Sequence, residues 1–174
     1  MVSSSGSDPL PPIDLADPAA LLGEFLDFYR DAALRKIDGL SEAEARESQL
    51  PSGWSPLGML KHLGYMERRW LVWGFTGEPV HDPWGDAASD GGWRVTEHDT
   101  VGELRSFLAS QRARTNDIVA AASLTDSARP GGRFATAADC PTLAWILFHV
   151  LQEYARHVGH LDIARELSDG ATGE

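Results

Sequence analysis

The sequence predicts an all-α fold, a four-helix bundle with one long crossover connection. Apolar residues recur at helical spacing in four long stretches, with no convincing strand alternation between them. Three of those stretches open on a capping residue completed by proline or by glutamate three positions on. The connection between the second and third is long enough to run back along a bundle.

The first helix begins at Asp17-Pro18, an N-cap followed by a first-turn proline, and Leu21, Leu22, Phe25, Leu26, Phe28, Tyr29 and Leu34 carry it toward Gly39. Ser41 with Glu44 forms a capping box for a short helix that fades by Gln49. Ser55-Pro56 repeats the cap-plus-proline signal and opens the second long helix, Leu57 to Phe75, which Gly77 and Pro79 stop. That helix is roughly 28 Å long at its rise per residue. The stretch between Gly77 and Asp99 is rich in Gly, Asp, Pro and Trp and can span this length, so the second and third helices are free to lie parallel. Thr100 with Glu103 caps the third helix, which Leu104, Phe107, Leu108, Ile118 and Val119 carry to about Ala122. A second loop, Ser123 to Pro141, precedes the fourth helix, Thr142 to Ser168. Residues 1–17 read as a flexible leader and 18–170 as a single domain without internal repeats.

The chain has 174 residues, 43% of them hydrophobic, with six Trp, which suits one globular domain. With 26 acidic against 15 basic residues the net charge is −11, and a nucleic-acid partner is not expected without a basic footprint. No apolar run is long enough to span a membrane, and the leader lacks the basic and apolar regions of a signal peptide. A single cysteine, Cys140, excludes an internal disulfide and fits a reducing cytoplasm.

The fourth helix carries Glu153, His157 and His160 where an apolar stripe belongs. With Glu153 as zero, His157 lies at about +40° and His160 at about −20°, while Leu143, Ile146, Val150 and Leu161 fall between about +20° and +80°. Burying a carboxylate without a partner costs several kcal/mol, so this face needs a cation, a hydrogen-bond network or a water-filled cavity. The second helix places His62 on a face with Met59, Met66 and Trp73. Glu153 and His157 stand one turn apart and can grip one ion, and His62 from a facing helix completes two imidazoles and a carboxylate. Three protein ligands leave a position for water or substrate, the layout of a catalytic metal site. Spacing alone leaves a second account open, in which Glu153 and His157 form a buried hydrogen-bonded pair and His62 is a satisfied core histidine.

Two segments, Trp54 to Trp70 (WSPLGMLKHLGYMERRW) and Glu153 to Glu166 (EYARHVGHLDIARE), resemble the signature helices of the DinB-like superfamily. More closely, they resemble its actinobacterial branch of mycothiol-dependent, maleylpyruvate isomerase-like metalloenzymes. The resemblance covers nearly the whole chain after the leader, and the second segment is the more specific. It implies an up-down-down-up bundle and a divalent metal, often zinc or nickel, near one end. Most members use three histidines; here His62 and His157 match the first and last, and Glu153 stands in the middle position. The isomerase uses a His, Glu, His set of the same form, but its second domain has no counterpart in this chain, which argues against isomerase activity itself.

The resemblance places His160 beyond the ligand pair as a supporting or core residue, and His149, one turn before Glu153, is similarly placed at the bundle rim. Arg68, Arg69 and Arg156 stand near the ligand-bearing helices as candidates for substrate binding, with salt bridges as their commoner role. Trp70 and Trp73 join them as aromatic candidates around an open metal position, while Trp84, Trp93 and Trp145 read mainly as core and loop anchors. His81 and His98 lie in the long loop, where no site role is expected unless that loop folds over the metal. Cys140 precedes the fourth helix and reads as inert.

The expected activity is a thiol S-transferase in which a divalent transition metal, zinc or nickel foremost, activates a low-molecular-weight thiol such as mycothiol toward a small electrophile. A metal-dependent hydrolase and a non-enzymatic metal-binding stress protein are the alternatives. Related bundles often dimerise, which leaves a homodimer open.

Overall fold

The computed structural model describes residues 10–89 and 91–172. The first nine residues of the leader lie outside them; Leu10 and Ile13, in the part described, are exposed. Among the described residues there are five α-helices and no strand, only the isolated bridges Ala87–Trp93 and Ser127–Thr142.

Helix α1 spans Pro18–Arg35, and the Asp17 carboxylate accepts the Ala20 N–H at 2.8 Å. The short α2, Glu42–Arg46, starts on the Ser41/Glu44 capping box. Helix α3 covers Pro56–Trp70 with Ser55 as its cap. The sequence predicts one helix to Phe75, but the last five residues, Leu71–Phe75, form a π-helical turn. The last carbonyls of a helix have no partner within it, and here a loop uses them: the Arg129 N–H donates to Phe75 O at 3.0 Å and the Arg133 N–H to Trp73 O at 3.2 Å. Gly132 sits so close that a Cβ there would overlap the Trp73 carbonyl oxygen.

Helix α4 is Val101–Ala121, capped by the Thr100/Glu103 box. Helix α5 is Leu143–Asp169; Thr142 caps its start and Gly170, at φ +74°, its end. A single 3₁₀ turn, Ala137–Asp139, interrupts the second loop.

The apolar faces meet in one core that includes Leu26, Leu57, Met59, Leu60, Leu63, Ile146, Leu147, Val150 and Leu161, all essentially inaccessible. Each such side chain contributes about 1.5–3 kcal/mol by leaving water. Helix α1 packs on α5, and α3 packs on both α4 and α5. Gly64 admits the Phe107 ring against the α3 backbone, since a Cβ would stand 2.6 Å from that ring.

At the centre of this core lies a carboxylate. Glu67 is 1% exposed and takes hydrogen bonds from all the other long helices: the Arg30 guanidinium of α1, the Thr115 hydroxyl of α4 at 2.5 Å and the Tyr154 hydroxyl of α5 at 2.8 Å. Arg30 is itself buried and also donates to Asp27 at 2.7 Å. A buried ion pair is not stabilising in itself, because desolvation offsets the attraction; removing one member leaves the other uncompensated. Glu67→Ala should therefore lower the unfolding free energy by about 3–5 kcal/mol, and Tyr154→Phe by about 1–2 kcal/mol. Urea titration monitored by circular dichroism measures both; a Glu67→Ala loss under about 1 kcal/mol would show that the carboxylate is dispensable to the packing.

Candidate metal centre

The face of α3 that buries Met59 and Met66 also carries His62, and the facing stripe of α5 carries Glu153 and His157. Because α3 and α5 are in contact, these side chains converge: their ligand atoms all lie within 4.8 Å of one another. The His157 Nε2 is 3.3 Å from Glu153 Oε2, and the His62 Nε2 is 3.9 Å from the same oxygen. Two imidazole nitrogens and a carboxylate oxygen directed at one point suit a divalent transition ion.

The surroundings of both imidazoles favour this. His62 Nδ1 lies 3.0 Å from Asp86 Oδ2. Burial pushes the Asp86 carboxyl up, but hydrogen bonds from His62 and Arg69 and the Arg69 charge outweigh it, so the pKa falls below the usual value. Asp86 is thus an anion that holds Nδ1 of His62 and turns Nε2 toward Glu153. His157 is pushed down to about 4, first by burial and next by His62, against the pull of Glu153. Its ring is neutral at pH 7, with Nδ1 3.3 Å from His160 Nδ1 and Nε2 facing the centre.

Asp86 was not foreseen from the sequence. It belongs to the long loop, which folds back as a small hairpin: the Arg94 N–H donates to Asp86 O at 2.7 Å and the Ala88 N–H to Gly92 O at 2.9 Å. The same hairpin lays Trp93 on His62, with centroids 4.5 Å apart and planes 13° from parallel, and turns the Trp93 edge to His157 at 5.5 Å. The crossover therefore walls the centre. Its sequence signal was limited to a conspicuous length and two Gly-flanked aromatic positions.

Helix α3 pins the loop with its own cations. Arg69 is buried, clasps Asp86 through both terminal nitrogens, and donates to Pro83 O at 3.1 Å. Arg68 donates to the His81 and Asp82 carbonyls, both at 3.0 Å, and lies over Tyr65. Lys61 pairs with Asp99 at 2.8 Å. Arg156 lies 3.6 Å from Glu153 Oε1 and is half exposed. His160 backs His157 and neighbours Trp54 at 6.0 Å. His149 stands between Trp70 (4.4 Å) and Trp145 (5.5 Å), outside the convergent set. Trp73 lies against Gly132 at the π-helical turn. Exposed His98 neighbours Glu97, and Cys140 donates to Thr136 O at 3.3 Å beside the 3₁₀ turn.

Two outcomes follow from this geometry. Asp86→Ala should weaken zinc binding about 10–100-fold, read by competition with a chromophoric chelator; unchanged affinity would remove Asp86 from the site. In metal-free protein the folded state holds His157 below its ordinary value of 6.5, so the unfolded chain takes up the proton first as pH falls. Stability is full above about 6.5 and should decline as pH drops toward about 4. Urea midpoints between pH 7 and 4.5 should show this decline, and His157→Asn should flatten it.

The family model of mycothiol-S-transferases matches residues 21–170, nearly the whole described chain and both ligand-bearing helices. No curated protein matches the sequence. With the family match extending from the first turn of α1 to the C-cap of α5, the chain belongs to the mycothiol-S-transferase family.

Proposed function

We propose that the protein transfers the sulfur of a low-molecular-weight thiol, mycothiol by its family, to a small electrophile at a divalent metal held by His62, Glu153 and His157. The convergence of those three side chains within 4.8 Å in a chain of this family carries the proposal. Zinc or nickel suits two imidazoles and one carboxylate. When bound, such an ion supplies the charge that deprotonates a coordinated thiol at neutral pH.

The chain's own residues supply the rest. Asp86 holds the Nδ1 proton of His62, keeping Nε2 a donor to the ion. Glu153 contributes one negative charge and Arg156 moderates it from 3.6 Å. Trp93 covers His62 and limits water on that side. In a substitution the thiol proton passes to solvent, a sulfur–carbon bond forms, and the leaving group departs with its electron pair. Asp86, the carboxylate beside the ligands, is committed to His62 and Arg69, which disfavours it as general base for a hydrolase.

We further infer that α1, α3, α4 and α5 form the up-down-down-up bundle of the DinB-like superfamily. Supporting pairs are Lys36 with Asp162, His62 with Glu153, Glu67 with Thr115 and Arg105 with Leu34. Residues 18–170 would then be one domain behind a leader over 1–17, working in a reducing compartment. No helix among the described residues is long and apolar enough to cross a membrane.

Zinc-loaded protein, mycothiol and benzyl chloride should yield the thioether by mass spectrometry faster than the protein-free control. Glu153→Ala should stay helical, lose zinc affinity by more than tenfold, and lose the activity with it. Full zinc retention by that variant refutes the ligand assignment. Absence of conversion with mycothiol, glutathione and cysteine alike would leave a metal-binding protein without transferase activity.

A further inference from the structure

Among the described residues, one cation beside the centre makes neither an ion pair nor a hydrogen bond through its side chain. The π-helical turn of α3 and the tight turn closed by Gly131 N–H to Phe134 O, at 2.9 Å, together present Arg133. Its guanidinium lies 4.1 Å from the Trp70 centroid and 5.5 Å from that of Trp84, which also carries Arg69 at 4.5 Å. Arg69 is neutralised by Asp86, Arg156 faces Glu153, and Arg94 takes Asp82 at 3.3 Å. Among the described residues the Arg133 guanidinium has ring contacts but no hydrogen bond or ion pair. Burial and the like charge of Arg69 both weigh against its protonated form.

The position matters as much as the charge. Trp70 joins Arg133 on one side to His149 on the other, at 4.4 Å, and His149 lies one helical turn before Glu153. Arg133 therefore stands on the flank of the metal ligands, across one indole. Around it Trp84 and Trp145 are about half exposed, at 49% and 52%. Three guanidiniums, Arg69, Arg133 and Arg156, face two carboxylates, Asp86 and Glu153, in a chain whose net charge is −11. An isolated guanidinium among indoles is a receptor for a planar oxyanion attached to an apolar group, because the fork donates two parallel N–H groups and the rings cover the hydrocarbon.

We propose that Arg133 is the specificity-determining residue of this site, binding the carboxylate of an aromatic or apolar electrophile whose hydrocarbon part lies on Trp70, Trp84 and Trp145. This rests on the transferase reading above for the word electrophile, but recognition of the carboxylate does not require turnover. It also separates Arg133 from Arg68, whose Nη2 is held by the His81 and Asp82 carbonyls, and from Arg69, which is paired with Asp86.

The test uses unreactive ligands with the zinc-loaded full chain. Binding of 4-methylbenzoate and its neutral isostere 4-methylbenzamide is followed by calorimetry and by tryptophan fluorescence. Wild type should bind the carboxylate at least tenfold more tightly. In Arg133→Met, which keeps an apolar stem over Trp70, that preference should collapse toward one, and Arg133→Lys should restore part of it. A preference that persists in Arg133→Met would place the carboxylate on the metal or another cation and overturn the proposal. No preference in wild type overturns it equally, even if benzyl chloride is consumed. Preference without any thiol transfer would instead leave Arg133 as an anion site and refute the transferase.

Discussion

The buried carboxylate of Glu67 is the constraint on which the rest of the molecule depends. It cannot lie in the core without donors, and the donors come from three other helices: Arg30 from α1, Thr115 from α4 and Tyr154 from α5. Satisfying it sets the rotation and axial register of each helix, since a shift of one residue would strand a charge in a medium where solvation is lost. Tyr154 is the immediate neighbour of Glu153, and Glu67 lies little more than one turn beyond His62. The hydrogen bond between Tyr154 and Glu67 thus fixes the relative placement of the two helices whose His62, Glu153 and His157 converge.

A second layer of the same logic surrounds the centre. Asp86 accepts from His62 and is itself neutralised by Arg69 from the helix that carries His62. The crossover could have been a passive tether, yet the cations of α3 draw it down, and it returns a proton acceptor and an indole wall to the ligands. Rigidity in the ligand set therefore comes from a loop, held by charge-assisted hydrogen bonds rather than by apolar packing.

The π-helical turn at the end of α3 has a comparable effect on the other flank. Its terminal carbonyls at Trp73 and Phe75, left without partners at the helix end, accept the Arg133 and Arg129 N–H groups. The aromatic cluster of Trp70, Trp145 and His149 then borders Arg133, which is more than sixty residues from Trp70 in sequence. The chain is acidic as a whole, but Arg69, Arg133 and Arg156 gather beside His62, Glu153 and His157.

Local rules sufficed for the helices and for singling out His62, Glu153 and His157, which the fold brings together. Caps at Asp17, Ser41, Ser55, Thr100 and Thr142 and a 3.6-residue period bound the elements to within a few residues, because helix formation is decided by neighbours along the chain. Glu153 and His157 stood out because polar groups on an apolar stripe demand a partner, and His62 because it shares a face with Met59, Met66 and Trp73; the resemblance of both segments to a known family then joined the three. Glu67 escaped notice, and Arg69 stood out only as a candidate for substrate binding or a salt bridge, inside a run of charged residues that looks solvated, since the sequence does not reveal that two of its members turn inward. Asp86 and Arg133 were equally illegible. Both lie in irregular segments where no period applies, and their partners His62, Trp70 and Trp84 meet them only through long-range contacts that form when the loops close over the helices.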